Sequence, residues 1–259
     1  MVPPFSIIIP VRIDCIERKV NLETVLNWCN LLNVPIYLLE ADKDSNLSFM
    51  EIKYKNVQYI FIYDDNSIFH RTKYINILLQ KANTDIIAIW DADIIVPYAQ
   101  ITKSVNMIRE LDYTIIYPYD GKIKMIAQKE SNEFRKNPII EKIEHLNLPP
   151  LLGRKSCGGI FIINKNKYCA IGGENEKYIG WGPEDAERLR RAIIMEHKVK
   201  WLESGFAYHL YHPSSVRNYK SPSLTIMRKE FIKECSMNKT EMTTYIQDKL
   251  KPMLFPDNP

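Results

Sequence analysis

Short apolar runs and amphipathic stretches alternate along the first half of the chain. Residues 5–10 are apolar and β-branched, and the run stops at Pro10; they predict a buried strand. Residues 15–32 carry apolar side chains at helical spacing, and 36–39 form a second short apolar run. Residues 57–63 alternate and predict a strand. Residues 68–82 predict a helix with Ile75, Leu78, Leu79 and Ala82 on one face. Residues 86–90 predict another strand, and Asp91-Ala92-Asp93 follows at once. A helix over 98–111 and a strand over 113–117 complete this half. Strand and helix in alternation predict an α/β fold, a parallel sheet with helices on both faces. Such sheets gather ligands beyond the carboxyl ends of their strands.

The second half is less regular. Residues 120–158 are polar, charged and interrupted by proline; they predict a hairpin or helix and then a long loop over 146–157. Loops of that length in compact domains often cover or bind ligands. A strand over 159–163, a short helix, a glycine-rich loop over 172–182 and a helix over 183–196 follow. Pro183 suits the first turn of that helix, and the acids after it suit the positive end of the helix dipole. Residues 200–211 predict one strand. Beyond Pro213 the pattern gives two amphipathic helices, near 222–235 and 239–250. No repeat, linker or low-complexity stretch interrupts the chain.

A chain of 259 residues can bury one sizeable core without disulfide staples. Hydrophobic residues at 46% and charged residues at 25% are the mix of a folded domain. The 35 Lys+Arg against 31 Asp+Glu leave a net charge of +4, too little to argue for a nucleic-acid partner. No apolar run approaches the roughly 20 residues of a membrane span. The opening Met1-Val2-Pro3-Pro4-Phe5 lacks the basic and apolar regions of a secretory signal, so a cytoplasmic protein is expected. The five cysteines at 15, 29, 157, 169 and 235 include no CxxC pair, which argues against a cysteine-built zinc or redox site.

Three clusters could carry chemistry. Asp91 and Asp93 end an apolar strand, and on extended backbone positions i and i+2 share a side. Two carboxylates so placed suit Mg²⁺ or Mn²⁺, especially with a diphosphate completing the shell; a strand-ending turn is the plainer alternative. Gly180-Trp181-Gly182-Pro183-Glu184-Asp185 combines a tight loop, a flat aromatic face that a sugar ring could stack on, and two acids at a helix start. Those acids could cap the helix or serve as a general base. His209-Leu210-Tyr211-His212 offers two imidazoles three apart, as metal ligands or as buried hydrogen-bonded side chains. Arg12 after the first strand, and Arg71 and Lys73 on the helix before Asp91, could meet phosphate or ribose, or be solvated. The chain has no P-loop, no dinucleotide fingerprint and no G-x-S-x-G.

Taken in order, these blocks resemble the GT-A glycosyltransferases, most closely the β-1,4-galactosyltransferase and chondroitin-polymerase-like branch. Phe69-His70-Arg71-Thr72-Lys73-Tyr74-Ile75-Asn76 running into Asp91-Ala92-Asp93-Ile94-Ile95-Val96-Pro97 is similar to that branch's "FNRAxxxN…DxDxxP" region. Cys157-Gly158-Gly159-Ile160, then Ile171-Gly172-Gly173, then Tyr178 to Asp185, is similar to "FGGV…INGF…YWGWGGED". His209 to His212 stands where the branch carries Met-x-x-His, and residues 7–12 resemble its opening nucleotide-binding strand. The match spans roughly residues 5–213.

The resemblance implies a GT-A domain over 1–213, with a nucleotide-binding half (1–117), an acceptor-binding half (118–213) and a helical extension (214–259). It implies an inverting, metal-dependent enzyme of polysaccharide biosynthesis that uses a UDP-sugar donor and Mn²⁺ or Mg²⁺. Asp93, His212 and His209 would hold the metal, His209 standing where the branch has methionine. Asp185 would be the general base and Glu184 a partner for a sugar hydroxyl. Pro10, Arg12, Arg71, Lys73, Asp91, Gly159 and Trp181 would line the donor pocket. The acceptor would be a saccharide or lipid-linked glycan, with at most peripheral contact at the inner face of a membrane. That contact would run through tail cations Arg217, Lys220, Arg228, Lys229 and Lys233, unless these form a solvated face. The chain departs from the branch at Pro183 and Ala186, and at Ser156, where a bulky residue is associated with excluding an N-acetyl group. Ser156 leaves room, so UDP-GalNAc is an expected donor beside UDP-Gal. A nucleotidyltransferase would show a glycine-rich basic loop after the first strand, where this chain has Pro10-Val11-Arg12-Ile13-Asp14. A non-catalytic sugar- or nucleotide-binding protein would lack or misdirect Asp185.

Overall fold

The first apolar run becomes strand β1 (Ser6–Val11), buried at every position. That fits a strand covered on both faces, where no polar alternation is needed. In the computed structural model, which describes residues 4–213 and 222–255, helix α1 (Ile16–Asn30) leads to β2 (Ile36–Asp42), a short helix α2 (Met50–Lys53) and β3 (Val57–Tyr63). Then come α3 (Arg71–Lys81), β4 (Ile86–Trp90), the two-residue β5 (Ile94–Ile95), α4 (Tyr98–Leu111) and β6 (Ile115–Tyr117). The second half holds β7 (Ile123–Met125), α5 (Gln128–Lys136), α6 (Glu141–Glu144), β8 (Ile160–Asn164), α7 (Lys165–Ala170), α8 (Glu184–Ile194), β9 (Val199–Trp201) and β10 (Ala207–His209). The tail forms α9 (Pro222–Cys235), α10 (Lys239–Tyr245), one π turn (Ile246–Leu250) and α11 (Lys251–Leu254).

Seven strands form the main sheet in the order β3-β2-β1-β4-β8-β6-β9. The sheet is not purely parallel as the sequence pattern suggested: β8 runs antiparallel to both β4 and β6. β8 enters from the loop that follows β7, α5 and α6, and runs in the opposite sense to both neighbours, which antiparallel pairing permits without a crossover between adjacent strands. A second sheet, β5-β10-β7, stands at the carboxyl end of β4. The stretch expected as one strand over 200–211 is two. Gly205, at φ +95°, turns the chain between them, and a Cβ there would meet Gln100 at 2.3 Å. β9 therefore closes the edge of the large sheet while β10 joins the small one.

Helix α3 starts at Arg71, three residues later than its periodicity predicts. His70 Nε2 lies 2.8 Å from the Glu176 carbonyl, so the segment before α3 docks on the 176–178 loop instead of winding, and Thr72 Oγ1 in the helix's first turn donates to the Tyr178 carbonyl at 2.9 Å. The middle of the chain is a strand, two helices and a loop tied back by a bridge between Lys124 and Pro150. Met242, Ile246, Leu250 and Leu254 of the tail are buried in the main core. Gly172 and Gly173 admit Leu250 and Leu254, since Cβ atoms there would meet those side chains at 2.7 and 3.0 Å. On α9, Arg228, Lys229 and Lys233 are exposed; Arg217 and Lys220 lie outside the described residues. No helix among the described residues is long and apolar enough to cross a membrane.

Candidate active site

The carboxyl edge of the main sheet carries the site. β4 ends at Trp90, whose indole N–H donates to the Ile94 carbonyl at 2.8 Å and closes Asp91-Ala92-Asp93 into a turn. The two aspartates are thus not on extended backbone, and each has its own partners. Asp91 faces α3, where Arg71 donates to its Oδ1 from Nε at 3.0 Å and from Nη2 at 2.6 Å. Asp93 faces the small sheet. There β10 pairs antiparallel with β5 in a register that sets His209 opposite Ile94, and the Leu210 amide donates to the Asp93 carbonyl at 2.8 Å.

That register brings both histidines to Asp93. His209 Nε2 lies 3.7 Å from Oδ1 and His212 Nε2 lies 3.2 Å from Oδ2. One ligand atom from each of the three residues falls within 4.8 Å of the others. This donor set, one carboxylate and two imidazoles, fits a divalent transition ion. His209 Nδ1 is buried without a hydrogen-bond partner. His212 Nδ1 sits 2.9 Å from the Pro213 carbonyl, a contact that orients the ring with Nε2 toward Asp93. Burial would raise the Asp93 carboxyl, but His209, His212 and Arg18 overcome it and hold it well below the usual range. Burial lowers His209, whereas the hydrogen bond to Asp93 raises His212. Burial therefore works against a charge on His209, while the contact with Asp93 favours one on His212.

Arg18, on the first turn of α1, completes this half of the site and was not singled out from the sequence. It donates to Asp93 Oδ2 at 3.1 Å and to Asp14 at 2.7 Å, and its Nη2 lies 3.5 Å from His212 Nδ1. The only sequence signal was the Asp14–Arg18 spacing of four, which is common on any helix.

The other half is built on α8. Asp185, in its first turn, accepts from Arg188 Nη2 at 2.8 Å and lies 3.8 Å from Arg71 Nη1. Arg71 thus stands between Asp91 and Asp185, and its Nη1 is buried with no hydrogen-bond partner. Arg188 is itself fully buried against Glu174 at 2.8 Å and over the Phe161 ring at 3.9 Å. Glu184 is 8% exposed with Oε2 unpaired. Burial first, and the Asp185 charge second, push its carboxyl well above the usual range. Gly158, also missed, gives Asp185 its room: a Cβ there would lie 2.0 Å from Oδ2. The glycine expected at the donor pocket, Gly159 at φ +77°, packs instead against Ile123 and Ile94.

The remaining expected residues are more dispersed. Pro10 is buried within β1. Arg12 donates to the Ala41 carbonyl at 2.8 Å, the Asn66 carbonyl at 2.6 Å and Asp64 at 2.5 Å, so its guanidinium ties the ends of β2 and β3. Lys73 is exposed on α3. Trp181 is 49% exposed on the loop before α8. Ser156 is buried; its carbonyl accepts from Trp201 Nε1 at 2.8 Å while its hydroxyl has no partner.

A family model described as the N-terminal domain of galactosyltransferase matches residues 141–213, a minority of the chain that includes Gly158, Asp185 and both histidines. No curated protein matches by sequence. Among solved structures, that of S. aureus TarS 1-349 superposes with a TM-score of 0.59 at 14% identity, covering 98% of this chain and 72% of that one. The structure of GalNAc-T7 with UDP, GalNAc and Mn2+ gives a TM-score of 0.57 at 14% identity; the match covers 98% of this chain but only 57% of that one. The fold is accordingly GT-A, a single domain with a large, mostly parallel sheet.

Proposed function

We propose that the chain is an inverting, metal-dependent glycosyltransferase that moves galactose or N-acetylgalactosamine from a UDP-sugar to a hydroxyl of a glycan acceptor. The observation that carries this reading is the grouping of Asp93 with His209 and His212 beside Asp185, the two halves linked through Asp91 and Arg71. The family match to a galactosyltransferase domain and the GalNAc-T7 structure with UDP, GalNAc and Mn2+ support it.

In this reading Asp93, His209 and His212 would hold Mn²⁺, which two imidazoles suit better than Mg²⁺, and when bound the ion would neutralise the charge of a leaving diphosphate. Arg71 and Arg18 are fixed cations at the same sheet edge, positioned for phosphate or ribose oxygens. Asp185 takes the acceptor proton as the hydroxyl oxygen attacks the anomeric carbon. A single base suffices, because UDP leaves as an anion and needs no protonating acid. This contrasts with glycoside hydrolysis, where two carboxylates flank the bond. Glu184, buried and unpaired at Oε2, offers its carboxyl to a donor hydroxyl. Ser156, small at the position associated with N-acetyl exclusion, leaves UDP-GalNAc acceptable. The acceptor is a saccharide or lipid-linked glycan, met in the cytoplasm or at the inner face of a membrane.

A screen of UDP-sugars with Mn²⁺, read as UDP release, tests the reading. Turnover with UDP-Gal or UDP-GalNAc that EDTA abolishes is expected. Inertness toward every nucleotide sugar would remove it, and strict rejection of UDP-GalNAc would remove the Ser156 argument alone.

A further inference from the structure

Beside the site, at the carboxyl end of the edge strand β9, lies a cavity of about 470 Å³. Ligand pockets generally start at roughly 300 Å³, so it can hold a sugar residue. Trp201 forms one wall, stacked on Tyr117 with ring centroids 4.7 Å apart and anchored through Nε1 to the Ser156 carbonyl. A rigid, half-buried indole of this kind is a platform for a pyranose face. Charge on the rim is uneven. Asp120 is occupied by Lys122, through the backbone N–H at 2.9 Å and the ammonium at 3.5 Å. Glu203 pairs with Lys200 at 3.3 Å. Arg154 and Lys155 are exposed and have no ion pair among the described residues; the Lys155 ammonium hangs 5.3 Å over the Trp201 ring. Both acids are paired, whereas Arg154 and Lys155 have no carboxylate partner among the described residues; the exposed Lys155 side chain swings off the indole when a sugar stacks there.

One wall of the cavity is joined along the chain to the proposed base. Arg154 and Lys155 lead through Ser156 and Cys157 to Gly158, against which Asp185 packs. From β8, which begins two residues after Gly158, to β9 is two strand spacings, roughly 10 Å. That is the reach of a short oligosaccharide. We infer that this cavity is an acceptor subsite for a saccharide carrying an anionic group, a carboxylate or a phosphate, with the sugar on Trp201 and its charge on Arg154 and Lys155. The name acceptor rests on the glycosyltransferase reading; the binding of an acidic saccharide does not.

The test is titration of the full chain with three oligosaccharides of equal length, one bearing hexuronic acid, one bearing a sugar phosphate and one neutral. Binding would be followed by calorimetry and Trp fluorescence. At least one acidic probe should bind about tenfold more tightly than the neutral one, and more weakly as salt rises. The double variant Arg154→Ala, Lys155→Ala should erase that preference. Which acidic probe is preferred identifies the anion. Equal binding of all three, no binding at all, or a double variant that keeps the preference would overturn the subsite. Donor hydrolysis with Mn²⁺, measured alongside, reports on the main reading separately: its absence with acidic binding intact would sink the enzyme and leave the subsite standing.

Discussion

Gly158 and Asp185 touch so closely that a Cβ on the glycine would lie 2.0 Å from the carboxylate oxygen. Gly158 is not among the positive-φ residues, so alanine fits its backbone and only Asp185 must move. Gly158→Ala should therefore lower kcat by about ten- to a hundredfold while leaving UDP affinity within a few fold, since small displacements of a reacting group carry large rate costs. Steady-state kinetics and UDP calorimetry on the same variant check it; a change confined to donor affinity would refute it.

Asp185→Asn keeps the shape and the contact with Arg188 but removes the proposed base. Turnover should fall by about 10²–10⁴, the usual worth of a general base, with UDP still bound. Loss of donor binding instead would make Asp185 a structural residue.

Asp93→Ala removes the carboxylate common to both histidines. Mn²⁺ binding, measured by electron paramagnetic resonance with UDP present, should be abolished together with metal-stimulated activity. Retained Mn²⁺ binding would place the ion elsewhere.

The proposed metal site should weaken in acid. The hydrogen bond to Asp93 raises His212, so its Nε2 is protonated below that raised value and must lose the proton to ligate. His209 is lowered by burial and is already neutral there. Mn²⁺ affinity should then be flat at high pH and fall by about tenfold per pH unit as acid passes the raised His212 value, in the interval above the ordinary imidazole pKa of about 6.5. A profile without that break in this interval argues against His212 as a ligand.

Arg18 competes for Asp93. A partly exposed ion pair is worth about 1 kcal/mol or less, so Arg18→Ala should tighten Mn²⁺ binding by up to about fivefold without nucleotide. With UDP present the loss of a cation should loosen the nucleotide. Identical metal affinity in both forms would mean that Arg18 and the metal do not share the carboxylate.

Removing Arg188 should cost stability beyond any effect on Asp185. Arg188 and Glu174 are both buried, and Arg188→Met strands a buried carboxylate, a change usually worth about 3–5 kcal/mol. Chemical denaturation measures it, and Glu174→Gln in the Arg188→Met background should recover part of the loss.

The strands, the major helices and the three chemical clusters were written in the linear pattern. A buried strand needs a continuous apolar run and a helix needs a 3.6-residue stripe, and residues 5–10, 86–90 and 98–111 carry these plainly. Asp91, Asp93, Asp185, His209 and His212 stood out as groups with chemistry at strand and helix ends. Which carboxylate faced which partner depended on contacts distant in sequence. Asp91 meets Arg71 across a 20-residue separation, Asp93 meets Arg18 across 75, and Arg18 reaches His212 across 194. Local periodicity holds no information about such pairs. The reversal of β8, the break at Gly205 that sends β10 to the small sheet, and the room at Gly158 are likewise products of packing: each is decided by what lies opposite in space, and only the closed fold supplies the opposite side.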